Sequence, residues 1–337
     1  MHDNHVTTSS ARSLTQWRLR SRTLELGRRT LVLGVVNVTP DSFSDGGLYF
    51  DHQAAVARAI ELLDEGADLL DLGAESTRPG SRAGSASTGA DGQPPAPGVT
   101  AAAVSAAEEQ ARLLPVLKGI LEARPDAIIS VDTYKAETAR AALACGAEIV
   151  NDVSGFGWDF GLAAVCAEAG CGVVLMHARG RPAEWAGQAQ LGADELLKTV
   201  REGLQASLNK ALAAGIAAES IVLDPGYGFG KRGEENFVLL GRQAELLALG
   251  RPLLAGVSRK SFLGRALAPL YGGKTAPVDA RETASVAALV AAILHGASLV
   301  RVHRVREAVE AGLVADAVKN QIAEDRLEIA DYRGGPM

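Results

Sequence analysis

The chain has 337 residues, 47% hydrophobic and 22% charged, with a formal net charge of -6. That length suits one α/β barrel as well as two smaller domains, and the mild acidity offers no electrostatic footprint for nucleic acid or an anionic membrane surface. No apolar run is long enough to cross a bilayer and residues 1–22 lack the apolar core of a secretory signal, so the expected compartment is the cytoplasm.

In chain order, residues 1–22 read as a flexible N-terminal extension. The stretch from Trp17 to Leu26 alternates as a strand and is expected to pair with Thr30-Leu31, a β-hairpin closing the floor of a barrel. Strands are then predicted near 31–37, 68–73, 127–132, 148–151, 172–176, 221–224, 253–257 and 298–302. Helical periodicity fills 53–65, 101–123, 135–145, 161–169, 194–214, 234–247, 281–295 and 304–323. Eight strands each followed by a helix predict a single (β/α)8 TIM barrel over 23–325, with its working mouth at the strand C-termini and a tail over 326–337. An open doubly wound sheet fits the pattern less well, because no glycine fingerprint comes after the first strand. Residues 80–100, rich in Gly, Ser, Ala and Pro, read as a long mobile loop at the mouth, either a lid or a tolerated insertion. The odd set Cys145, Cys166 and Cys171 reads as small buried hydrophobes rather than a disulfide framework or a zinc site.

Every predicted strand ends in groups that bind or react. Val35, Val36 and Val38 favour a strand that Thr39-Pro40-Asp41 must leave by a turn, which sets Asn37 at the barrel mouth. Further along the chain come Gly73-Ala-Glu-Ser-Thr77-Arg78-Pro79, Asp132, Asn151, Met176-His177, Asp224-Pro-Gly, Ser258-Arg259-Lys260-Ser261 and Arg301-Val-His303. Arg301 and His303 are two apart on a strand, so both point one way while Val300 and Val302 point the other, the spacing of a paired anion clamp. Gly226-Tyr-Gly-Phe-Gly230-Lys231 is not a P-loop: Pro225 stands where the earlier Gly is needed and Arg232 where Ser or Thr is.

The segments Asn37-Val-Thr-Pro-Asp-Ser-Phe-Ser-Asp-Gly-Gly47, Glu75-Ser-Thr-Arg-Pro-Gly80, Asp224-Pro-Gly-Tyr-Gly-Phe-Gly-Lys231, Ser258-Arg-Lys-Ser261 and Arg301-Val-His303 resemble, in order, the loops of the dihydropteroate synthase family of pterin-binding barrels. That resemblance, over roughly residues 31–305, implies condensation of a dihydropterin diphosphate with 4-aminobenzoate, a Mg2+ ion, a sulfonamide-binding site and a homodimer formed through late helices. It also implies roles. Asp224 and Lys260 read the pterin edge, with Asp132 and Asn151 for the remainder and Thr77 and Met176 lining the ring; Met176 is equally a core residue. Asn37, Arg78, Arg301 and His303 hold the diphosphate, Asn37 through the metal; Arg78 reads equally as solvated surface, and His303 has the alternative of a core histidine at a helix start. Phe229 and Pro79 wall the benzoate ring, while Arg259 and Ser261, at a helical turn, anchor its carboxylate. Asp132, Lys260 and Arg301 then carry catalysis. The sequel to Leu175-Met-His177 departs from the family's Met-Gln.

Other readings stay open. The carboxylates Asp71, Glu75, Asp41 and Asp45 would suit a glycosidase, but only 4% of residues are aromatic and the cations would go unexplained; Asp71 and Glu75 read instead as fasteners of the loop and barrel interior. A methyltetrahydrofolate:corrinoid methyltransferase of the same superfamily would need no diphosphate clamp, and a non-catalytic pterin-binding paralogue is the third reading.

Overall fold

The computed structural model describes residues 14–38, 47–75 and 104–333. Thr77, Arg78, Pro79, Asp41, Asp45, the 80–100 segment and residues 1–13 therefore lie outside the described residues.

The structure opens with an antiparallel hairpin, β1 (Thr15–Arg18) against β2 (Thr23–Leu26), and continues through β3 (Leu31–Asn37), α1 (Gly47–Asp64), β4 (Leu69–Gly73), α2 (Ala106–Ala123) and β5 (Ile129–Asp132). Next come α3 (Ala136–Ala144), β6 (Ile149–Asp152), α4 (Leu162–Ala169), β7 (Gly172–Met176), α5 (Ala193–Ala213), β8 (Ile221–Asp224) and α6 (Glu235–Gly241). The chain finishes with β9 (Leu253–Ala255), α7 (Ser261–Ala266), α8 (Glu282–Leu294), β10 (Ala297–Val302) and α9 (Val305–Arg333). Strands β3 to β10 close into one parallel barrel, with β10 hydrogen-bonded to β3, as the alternation of runs predicts. Among the described residues no helix is long and apolar enough to cross a membrane.

Strand parity divides the barrel into two chemistries. Leu31, Leu33, Leu69, Ile149, Val174, Val222, Leu254 and Leu299 face the axis and form an apolar lower layer, while alternate residues such as Val32, Leu70, Leu72, Val173 and Val300 pack outward under the helices. One pleat higher, at the strand C-termini, the same inward parity carries Asp71, Ser130, Asp132, Asn151, Met176, Asp224 and Arg301. A side-chain period of two thus places a greasy floor beneath a polar mouth.

The hairpin seals that floor, but with a different partner from the expected one. Leu19 N donates to Arg22 O at 2.8 Å, so the 17–26 stretch folds back on itself instead of pairing with Thr30-Leu31. Trp17, Leu19 and Leu26 enter the lower layer, and Trp17 Nε1 donates to Ser220 O at 3.0 Å. The expected boundary at residue 22 therefore falls inside a packed element, and at the other end α9 continues to Arg333, past the tail expected from 326. Cys145, Cys166 and Cys171 are unpaired thiols, the last two buried in the outer core.

Candidate active site

Asp71 is fully buried, and a carboxylate in that position is stable only if its oxygens are fully used. They are: Ser130 Oγ donates to Oδ1 at 2.6 Å, while Asn151 Nδ2 at 3.1 Å and Arg301 Nε at 2.5 Å both donate to Oδ2. Arg301 also gives Nη2 to Asp132 Oδ2 at 2.9 Å. Asp71, Asp132, Asn151 and Arg301 thus form one network spanning β4, β5, β6 and β10. Glu75 fastens the loop base, as expected, accepting from Val104 N at 3.2 Å and pairing with Lys135, which also bonds Glu109.

Asp224 completes the ring from β8. Its Oδ1 accepts from Gly226 N at 2.7 Å, in a turn where Gly226 takes φ of +71° and a Cβ would come within 2.0 Å of His177 O. Two glycines lie against these side chains. A Cβ added at Gly256 would stand 3.7 Å from Asp224 Oδ2 and 4.0 Å from Arg301 Cβ, and one at Gly73 would stand 3.6 Å from Asp132 Oδ2. The two glycines therefore stand beside the carboxylates and the guanidinium, each with room for a Cβ in ordinary contact. Lys260 arrives from the β9 end with its Nζ 4.0 Å from the centre of the Phe229 ring, a cation–π contact, while Trp185 meets Phe229 edge-on. Met176 joins Tyr134 and Val153 in an apolar wall against which Trp158 and Phe229 pack.

Electrostatics derive from this crowding. Burial, reinforced by Asp71 and opposed by Arg301, pushes the Asp132 carboxyl up to about 7, and burial together with Arg301 lowers the Lys260 ammonium to about 8. Asp224 is also raised by burial, although the Gly226 N–H holds it back. Burial works against the charge of Arg301, but Asp71 and Asp132 outweigh it and its pKa stays above the ordinary guanidinium value.

The clamp expected of Arg301 and His303 divides. Arg301 turns inward to the carboxylates, because two buried anions need a cation between them. The His303 ring nitrogen Nδ1 instead lies 3.0 Å from Ser258 Oγ and lines a separate cavity of about 330 Å³ with Val35, Val36, Asn37, Ala55, Arg58, Arg259 and Arg304. Arg259 therefore neighbours Asn37 and His303; its Nε donates to Glu282 Oε2 at 3.0 Å. Ser261 is exposed and is the first residue inside α7, with Lys260 at the cap position and no side-chain cap bond. A depression of about 640 Å³ between α1 and Arg306 lies outside the barrel and shares none of these groups.

Asp132, Asn151, Met176, Asp224, Lys260 and Phe229 thus gather at one mouth with Arg301, and Asn37, His303 and Arg259 at the adjoining cavity. Tyr134, Val153 and Trp158 have no assigned role in the sequence reading, nor do Arg58 and Arg304, while Ser130 stands there only as part of the run end Ser130-Val-Asp132-Thr133. Ser130 had a signal, the inward parity two residues before Asp132; Arg58 had none, since only the packing of α1 brings it near His303, whose carbonyl oxygen accepts from its Nη2 at 3.4 Å.

The chain matches the pterin binding enzyme family over residues 33–92 and 89–303. It belongs to that family. Dihydropteroate synthase of Mycobacterium leprae is 44% identical over 85% of this chain and 92% of its own, and that of Escherichia coli 38% identical over 88% and 94%. Among solved pterin-binding enzymes, Yersinia pestis dihydropteroate synthase in a sulfonamide drug complex superposes with a TM-score of 0.77 at 36% identity, covering 91% of this chain and 100% of that one. The Xanthomonas albilineans enzyme with 4-aminobenzoic acid gives 0.75 at 37% identity, over 91% and 99%. Together with the parity of the mouth residues, this family membership makes the polar ring the candidate active site.

Proposed function

We propose that this protein condenses 6-hydroxymethyl-7,8-dihydropterin diphosphate with 4-aminobenzoate, releasing diphosphate and 7,8-dihydropteroate, as a dihydropteroate synthase of folate biosynthesis. The observation that carries the reading is the Asp71–Arg301–Asp132 network, with Asn151 bonded to Asp71 and with Asp224 and Lys260 at the same barrel mouth. The pterin edge presents N–H donors beside a carbonyl, and this ring offers carboxylate acceptors beside an ammonium. Phe229 and Trp185 give an aromatic wall to the second substrate.

The diphosphate tail suits the neighbouring cavity, where Arg58, Arg259, Arg304 and His303 surround Asn37. Among the described residues no cluster of three His, Cys, Asp or Glu side chains exists to hold a metal. Asn37 would hold a Mg2+ ion through its amide oxygen, and the ion would supply neutralisation of leaving-group charge. Departure of diphosphate leaves positive charge on the pterin methylene. Asp132 stabilises that cation, the neutral arylamine attacks it so that a C–N bond replaces the broken C–O bond, and the amine proton is lost to solvent, a dissociative substitution needing no covalent nucleophile.

Two pKa values then set a pH window. Ionised Asp132 is required, so kcat/KM rises with pH through about 7, and protonated Lys260 is required, so it falls through about 8. The expected profile is a bell with its maximum between them. Asp132→Asn removes the acid limb and Lys260→Arg moves the alkaline limb upward; a flat profile from about pH 6 to 9 would contradict both assignments.

Pairing of two copies is expected along α9, where Val314, Val318 and Ile322 expose an i, i+4, i+8 apolar stripe. Light scattering on Val318→Glu should give half the mass of the parent, and a parent already monomeric at micromolar concentration excludes the dimer. Unpaired thiols suit the reducing cytoplasm. The decisive assay mixes the purified protein with dihydropterin diphosphate, 4-aminobenzoate and Mg2+. Diphosphate release that depends on the benzoate supports the synthase, and its absence refutes it.

A further inference from the structure

Lys231 is buried, 3% exposed, at the end of the loop after β8, and no step above uses it. Its Nζ donates to the His177 carbonyl oxygen at 2.6 Å, crossing from the β8 loop to the β7 loop. The same carbonyl sits under the turn that aims Asp224: a Cβ added at Gly226 would come within 2.0 Å of His177 O and 2.9 Å of Lys231 Nζ. His177 N in turn donates to Asp224 O at 3.0 Å, and Gly226 N to Asp224 Oδ1 at 2.7 Å. The rest of the loop is stitched to the same residue. Asn236 Nδ2 donates to Lys231 O at 3.0 Å while Asn236 Oδ1 accepts from Gly228 N at 2.7 Å, and Arg179 N donates to Phe229 O at 3.3 Å.

We infer that Lys231 is a positioning residue, whose amine ties the β7 and β8 loops together and thereby sets the angle of the Asp224 carboxylate and the Phe229 ring toward the pterin. The inference rests on the proposed pterin reading of this mouth. Burial holds the Lys231 pKa well below the ordinary ammonium value, with Asp224 opposing the shift; charged or neutral, the amine donates to a carbonyl oxygen. A buried lysine with no link to the site would lie among apolar side chains or beside a single carboxylate. This one instead bonds the carbonyl that backs the pterin-reading turn.

Lys231→Met keeps the unbranched chain out to Cε and removes the amine donor. Its expected effect is a rise of about tenfold in KM for dihydropterin diphosphate and in the Kd of unreactive 6-hydroxymethylpterin measured by calorimetry, with kcat within about threefold of the parent. Lys231→Gln, which keeps an N–H donor group on a shorter chain, should recover part of that affinity. A role in stability alone predicts the opposite split, a lower melting temperature and active fraction with KM and Kd unchanged, and that result overturns the inference. Should Lys231→Met not fold, Lys231→Gln with parental KM and Kd overturns it equally. A parent that neither binds the pterin nor turns over refutes the reading of the mouth and this inference with it. An active parent with indifferent variants refutes the inference alone.

Discussion

Asp132→Asn should lower kcat about a thousandfold while changing pterin affinity less than about tenfold. A carboxylate about 4 Å from a unit positive charge contributes about 4 kcal/mol at an effective dielectric of 20, and that energy is a factor of roughly a thousand in rate. The substitution keeps shape and keeps an oxygen for Arg301 Nη2, which lies 2.9 Å from Asp132 Oδ2. The ground state, in which the methylene carries no charge, is therefore little disturbed, and the loss falls on the charged transition state. Single-turnover rates and pterin Kd measured on the same preparation separate the two. Comparable losses in both would assign Asp132 to binding and remove its electrostatic role.

Asp71→Asn is expected to damage folding and activity together. Asp71 is fully buried and accepts from Ser130, Asn151 and Arg301. An amide in its place has one acceptor oxygen and brings two donors into a cluster already rich in them, leaving Arg301 with half its counter-charge. Breaking a buried pair costs about 3–5 kcal/mol, which for a domain of this size lowers the melting temperature by about 10 °C. Because Arg301 and Asn151 lose their common anchor, kcat/KM should fall at least about a hundredfold at temperatures where the variant is folded. A folded variant with parental kcat/KM would show that the mouth does not need this carboxylate.

The two substitutions differ in a way that tests the division of labour. On the proposed mechanism Asp132 meets the developing cation, so its loss is chemical, whereas fully buried Asp71 anchors Arg301, so its loss is architectural. Asp71→Asn should consequently raise KM as well as lower kcat, and Asp132→Asn should spare KM.

By itself the sequence determined the barrel, because eight apolar β-branched runs alternating with helical periods leave few other ways to bury their faces. It also determined the inward parity of Asp132, Asn151, Asp224 and Arg301, since a strand's side-chain period is fixed at two and the run ends mark the mouth. Asp71 was legible as a fastener because few aromatics and an unexplained set of cations argue against a glycosidase pair. The groups that a neighbouring strand or loop supplies were not legible. The hairpin partner of β1 depended on a turn at Leu19 and Arg22, a local choice decided by burying Trp17 and Leu26 together. Arg301 and His303, alike in parity, part company because only the folded barrel shows that two carboxylates already claim the guanidinium. Arg259, Arg58 and Arg304 meet Asn37, and Lys231 meets His177, across more than 20 residues of chain or from outer helices. Short-range pattern encodes which way a side chain points; which charge awaits it there is a sum over elements distant in sequence, and only tertiary packing performs that sum.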